Sequence, residues 1–77
     1  MKLQIKYFGL LSEITQRIEE EYLFKGETVE QLLNALEEKY PKLKNKTFRV
    51  AQNQTIVNNN AIISENQIML FPPFSGG

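Results

Sequence analysis

The chain has 77 residues, 42% of them hydrophobic, and its nine Lys and Arg residues balance nine Asp and Glu. A chain of this length holds one core, and a net charge of zero lacks the basic excess that a nucleic-acid binder carries. Without a single cysteine or histidine it can form no disulfide, no thiolate or imidazole metal site and no Cys- or His-based catalytic centre.

The opening stretch KLQIKYF alternates, with Leu3, Ile5 and Tyr7 on one side and Lys2, Gln4 and Lys6 on the other, the period of a half-buried strand. That alternation also lacks the continuous apolar core of a signal peptide, and no run approaches the roughly 18 apolar residues of a membrane span. A cytoplasmic protein with no membrane partner is expected. Gly9 interrupts the strand, and Leu10, Leu11 and Ile14 then fall at helical spacing, enough for one or two turns. IEEEYLF reads as a second strand with Ile18, Tyr22 and Phe24 inward and Glu20 the misfit. Three successive glutamates suit an edge strand, where charge discourages further pairing.

KGE at 25–27 is a turn, followed by the clearest element in the chain, TVEQLLNALEEKYP. Thr28 is placed to cap a helix, with Gln31 completing a capping box. Val29, Leu32, Leu33 and Leu36 form one apolar stripe, and Pro41 ends the helix near Tyr40. The cluster Lys39, Lys42, Lys44 and Lys46 reads as a solvated loop. A third strand is predicted over 47–54, with Phe48 and Val50 on one face and Arg49 and Ala51 on the other. Asn53-Gln54 turns into a short TIV strand, NNN at 58–60 and SENQ at 64–67 are loops, and IMLF is the last strand, stopped by Pro72-Pro73.

This order implies an α+β fold with a mixed sheet and one main helix packed across one face. A right-handed crossover places the last strand beside and parallel to the first, in the middle of the sheet. That is a β-grasp, the ubiquitin-like architecture, over residues 1–71, with 72–77 as an extended Gly-Gly tail. Pro72 and Pro73 favour an extended path away from the body. Four to six extended residues reach roughly 13 to 21 Å, at about 3.3 to 3.6 Å each. Phe74 has little core left to enter beyond two prolines and is expected to contact a partner. Ser75 and Gly76 then thread a narrow channel, and Gly77 presents a carboxylate with no β-carbon to crowd attack. Activated by ATP as an acyl-adenylate, such a carboxylate is open to a sulfur or nitrogen nucleophile. On composition alone, a Gly-Gly end is equally compatible with an unstructured tail of no function.

FPPFSGG at 71–77 is similar to the F-P-P-V-[ST]-G-G ending of the molybdopterin synthase small subunit family, the sulfur carriers of molybdenum cofactor biosynthesis. YFG leading into LLSE, TVEQLLNAL and NQTIV resemble that family's segments in the same order along the chain. The resemblance implies a carrier that is not itself an enzyme and binds no cofactor. An ATP-dependent adenylating enzyme and a sulfurtransferase would convert Gly77 to a thiocarboxylate. Inside a large synthase subunit, which supplies the catalytic lysines, its sulfur would go to cyclic pyranopterin monophosphate. Two carriers and two large subunits would form a heterotetramer. The resemblance gives Phe71, Phe8 and Ile56 to partner contacts, with Pro72, Pro73 and Phe74 beside them and Gly76 in the channel. It departs from the family at Ser12, where Arg is frequent, at Ser64–Gln67, and at Phe74, where Val is usual. Sulfur carriers of thiamine synthesis or tRNA thiolation, and ubiquitin-like protein modifiers, share the fold and the Gly-Gly end and stay open as alternatives, as does a plain binding module.

Overall fold

The computed structural model describes residues 1–72. Five strands, two helices and one 3-10 turn follow in the order β1 (Lys2–Tyr7), α1 (Leu10–Thr15), β2 (Glu19–Leu23), α2 (Val29–Lys39), the 3-10 turn (Pro41–Leu43), β3 (Arg49–Gln52), β4 (Thr55–Val57) and β5 (Gln67–Phe71). The sheet order is β2-β1-β5-β3-β4. β1 and β5 run parallel at the centre, while β2, β3 and β4 join them antiparallel. This is the mixed-sheet β-grasp that the sequence predicts, with the glutamate-rich β2 at an edge.

Alternation along each strand divides the sheet into two faces. Leu3, Ile5 and Tyr7 of β1, Ile68 and Leu70 of β5 and Val50 of β3 are buried together with Val29, Leu32 and Leu36 of α2. The helix forms because its stripe matches this face and because its first turn is satisfied twice over. The Thr28 hydroxyl accepts from the Gln31 amide N–H at 3.2 Å, and the Gln31 side chain accepts from the Thr28 N–H at 3.1 Å, the predicted capping box. Beyond the box, the N–H groups of Val29 and Glu30 donate to the carbonyls of Ala61 and Asn59, donors that no intrahelical partner can satisfy.

Buried Gln52 holds the long return loop. Its Nε2 donates to the Ile62 carbonyl at 2.8 Å, and its Oε1 accepts from Ser64 N–H at 2.7 Å and Glu65 N–H at 3.0 Å. Asn53, at φ 61°, makes the tight turn into β4 in the left-handed region that Asn tolerates. β3 is shorter than predicted, because pairing with β4 and β5 begins only at Arg49.

One expectation for β2 fails. Ile18 is 77% exposed, because it precedes the first residue of β2. The inward positions are Glu20, opposite Ile5, and Tyr22, opposite Leu3, so the apparent misfit Glu20 points into the protein. In α1, Leu11 is buried while Leu10 is half-exposed.

Candidate functional site: the tail exit

The central strand β5 ends at Phe71, and Pro72 is the last residue described beyond it. Across from Phe71 on β3 lies Arg49, and the next pairs place Ala51 beside Met69 and Ile56 beside Ala51. On the other flank, Met69 pairs with Lys6, and the Phe8 N–H donates to the Leu70 carbonyl at 2.9 Å. Paired residues project to the same side of a sheet. Ile56, Ala51, Met69 and Lys6 therefore form one row on the face away from α2, with Arg49 and Phe71 one step nearer the exit. Ile56 is 55% exposed and Phe8 43%, large apolar side chains that a lone domain would gain by covering. Phe71 and Pro72 are half-buried.

Of the residues singled out in the sequence, Ile56 and Phe71 thus share the face away from α2, and Phe8 and Pro72 follow the last residues of β1 and β5 at the same end of the sheet. Pro73, Phe74, Ser75, Gly76 and Gly77 lie outside the described residues. Three further contributors escape sequence reasoning. Met69 was within reach, since it shares the period-two phase of Phe71. Arg49 enters only through its register with Phe71, which no local pattern encodes. Gly9 carries the third. Its φ of 58° and ψ of −137° define a backbone that side chains avoid, and a Cβ there would come within 3.0 Å of Pro72 Cγ. Gly9 is the seat on which the first tail proline rests.

Beneath this exit lies a buried polar hub. The Glu20 carboxylate accepts from the hydroxyls of Tyr7 and Tyr40, the latter at 2.9 Å, and pairs with Lys39 Nζ at 2.9 Å and Arg17 Nε at 3.6 Å. The Tyr7 and Tyr40 rings meet edge to face with centroids 6.1 Å apart, and Lys39 Nζ sits 5.6 Å from the Tyr22 ring and 5.5 Å from the Tyr40 ring. Burial alone would raise the Glu20 pKa, but the hydrogen bonds from Lys39, Tyr7 and Tyr40 together outweigh it and hold the carboxyl below its ordinary range. Burial, then the bond to Glu20, pushes the Tyr7 and Tyr40 hydroxyls up, and the bond to Glu20 raises Lys39. The hub fixes the end of β1 from which Phe8 and Gly9 project.

Among the described residues no three Asp or Glu side chains gather into a metal site, and no helix is long and apolar enough to cross a membrane. What the described residues show here is exposed apolar side chains, Phe8 and Ile56, near the C-terminal end of the central strand β5.

Comparison with known proteins agrees with this geometry. The family model described as the ThiS family matches residues 5–77. Among solved structures, a Pyrococcus furiosus protein described as molybdopterin converting factor subunit 1 superimposes with a TM-score of 0.84 at 22% identity, over 96% of this chain and 99% of its own. SAMP1 from Haloferax volcanii superimposes with a TM-score of 0.82 at 24% identity, over the full length of both chains. Small archaeal modifier protein 1 from Methanosarcina acetivorans gives 0.76 at 22% identity, over 99% of this chain and 96% of its own. These likenesses establish the ubiquitin-like β-grasp fold, and the family match goes further: the chain belongs to the ThiS family.

Proposed function

We infer that this ubiquitin-like chain is a sulfur carrier that works through Gly77 within a molybdopterin synthase. The observation that carries the reading is FPPFSGG, a specific ending that continues β5 from the middle of the sheet, next to the exposed Phe8 and Ile56. The similarity to a protein described as molybdopterin converting factor subunit 1 supports the same pathway.

The chemistry divides between chain and partners. An ATP-dependent activating enzyme joins the Gly77 carboxylate to AMP and releases pyrophosphate. A sulfurtransferase supplies a sulfur nucleophile that displaces AMP, leaving a thiocarboxylate. The large synthase subunit, carrying the catalytic lysines, then transfers that sulfur to cyclic pyranopterin monophosphate and returns the carboxylate. This chain contributes reach and an unhindered carbonyl. Glycine at the last two positions admits whatever backbone angles the partner channel imposes, while Pro72 and Pro73 limit the freedom lost on insertion.

Incubation with ATP, the cognate activating enzyme and a sulfur source should raise the intact mass by about 16 Da, oxygen exchanged for sulfur. Removing Gly76 and Gly77 should abolish the gain. A second reading has support of its own, since two of the similar structures are named as archaeal modifier proteins. It predicts adducts between Gly77 and lysines of other proteins with no thiocarboxylate, a result that would sink the carrier assignment.

A further inference from the structure

Charge is distributed unevenly in this neutral chain. Residues 39–49 hold five of the nine basic residues and none of the nine acidic ones, so this segment is +5 in side-chain charge and the rest of the molecule −5. Among the described residues only Lys39 of the five is compensated, by Glu20 at 2.9 Å. Among the described residues, Lys42, Lys44, Lys46 and Arg49 are exposed and lie within ion-pair distance of no carboxylate. The sequence reading of this run as a solvated loop takes no account of where the fold puts it.

The fold puts it at the tail exit. Tyr40, where the 3-10 turn begins, packs its ring on Tyr7 at the end of β1. Lys44 N–H and Lys46 N–H donate back to the carbonyls of Pro41 and Leu43, which curls the loop at that end before β3 starts at Arg49, opposite Phe71. An open groove of about 600 Å³ adjoins the loop, with Thr47, Phe48, Arg49 and Ile56 in its walls. Ile56 thus belongs both to this groove and to the apolar row beside the tail. An apolar centre with a charged margin is the layout of a protein-docking surface.

We propose that Lys44, Lys46 and Arg49 form the charged margin of the tail-exit surface and dock an acidic segment of the ATP-dependent activating enzyme, its apolar side chains entering the groove beside Ile56. The segment's carboxylates supply the compensation that no described residue gives these cations. The inference rests on the carrier reading for the identity of that enzyme, and on the structure for the surface. Protein rather than nucleic acid is favoured because the basic margin is short and its Arg49 lines a groove with the exposed Ile56, whereas the rest of the surface, at −5, repels phosphate.

Two measurements test it. In the first, the full chain labelled with nitrogen-15 is titrated with a synthetic peptide of alternating Glu and Leu, and separately with an oligouridine RNA. Shifts should map to Lys44, Lys46, Arg49 and Ile56 with the peptide, and the Lys44→Glu/Lys46→Glu variant should lose them. Stronger binding of the RNA, or peptide shifts elsewhere, including on the acidic β2 edge, overturns the proposal. The second follows thiocarboxylate loading by the cognate activating enzyme. The double variant should lose at least roughly tenfold in kcat/KM, with the loss in KM, and raising NaCl from about 0.05 to about 0.5 M should erase most of the difference between wild type and variant. Equal loading of both overturns the docking role. If the wild type itself is not loaded, the carrier reading falls, and the peptide titration alone decides whether the surface binds acidic segments.

Discussion

Glu20 and the tail-exit surface break the same rule in opposite directions. Glu20 is a charged side chain only 4% exposed, and it is satisfied by four partners drawn from β1, the segment before β2, the last residue of α2 and the start of the 3-10 turn. Phe8 and Ile56 are apolar side chains that the described residues leave exposed. A buried carboxylate is tolerable once each oxygen is hydrogen-bonded, and the cluster then locks separate elements into one arrangement. An exposed apolar face has no such internal remedy. The first departure is resolved within the fold, and on the proposed carrier reading the second is resolved by a partner, so perturbing each should move different observables.

The largest effect is expected at the hub. Glu20→Ala strands the Tyr7 hydroxyl in the core and frees Lys39, and should lower stability by about 3 kcal/mol. For a domain of this size that corresponds to a fall in Tm on the order of 15 °C, read by calorimetry. Glu20→Met combined with Tyr7→Phe removes both members of the buried bond and should lose less than the single variant. A double variant worse than Glu20→Ala would show that the hub matters for shape and not for satisfied polarity.

Gly9→Ala ranks next, and it joins the two regions. The new Cβ meets Pro72 Cγ at 3.0 Å and the backbone sits at φ 58°, so about 2 kcal/mol of strain is expected. Because Pro72 rests on this residue, thiocarboxylate loading should fall even at temperatures where the variant is fully folded. Wild-type loading in a destabilised but folded Gly9→Ala protein would remove Gly9 from the site.

A pH series isolates the charge of the hub from its packing. Glu20 has a folded pKa below the ordinary 4.5, so its ionised form adds stability that is present above about 4.5 and lost as pH falls through the folded value. Tyr7, Tyr40 and Lys39 shift upward. Their contribution is present below about pH 10 and is lost as pH rises through the folded values. Urea midpoints should therefore decline at both ends, and Glu20→Gln should flatten the acid limb. An acid limb unchanged in that variant would assign the loss to other carboxylates.

How much of this was open to a reader of the sequence depends on the range over which each feature is encoded. The capping box of Thr28 and Gln31, the stripe on α2, the stop at Pro41 and the alternation of β1 lie within a few residues, and each formed as predicted. The central position of β5 followed from the handedness of crossovers, a rule independent of local detail. Alternation placed Glu20 inward, but what satisfies it there was not legible, because its partners Tyr7, Lys39 and Tyr40 stand 13 to 20 residues away. Ile18 failed because the strand starts one residue later than its apolar character suggests. At the exit, Phe8, Ile56 and Phe71 came from resemblance, whereas Arg49 and the lysines beside it acquire meaning only from the pairing of β3 with β5.

The smallest change in stability, and the sharpest test of the comparison, is expected from Phe71→Ala. Phe71 lies on the face away from α2, opposite Arg49, and is only half-buried, whereas its neighbour Leu70 is fully buried. Truncation of a ring in a closed core costs about 3 to 5 kcal/mol. At Phe71 much of the ring already faces water, so a loss of about 1 kcal/mol is expected, a few degrees in Tm. Affinity for the large synthase subunit should fall more than roughly tenfold, because a ring that completes its burial only in the complex spends its free energy there. Leu70→Ala should do the reverse, lowering Tm far more than it changes affinity in the folded fraction. If Phe71→Ala instead lowers Tm as much as Leu70→Ala and leaves affinity unchanged, Phe71 belongs with the hub as part of the folded body, and the docking face begins beyond it.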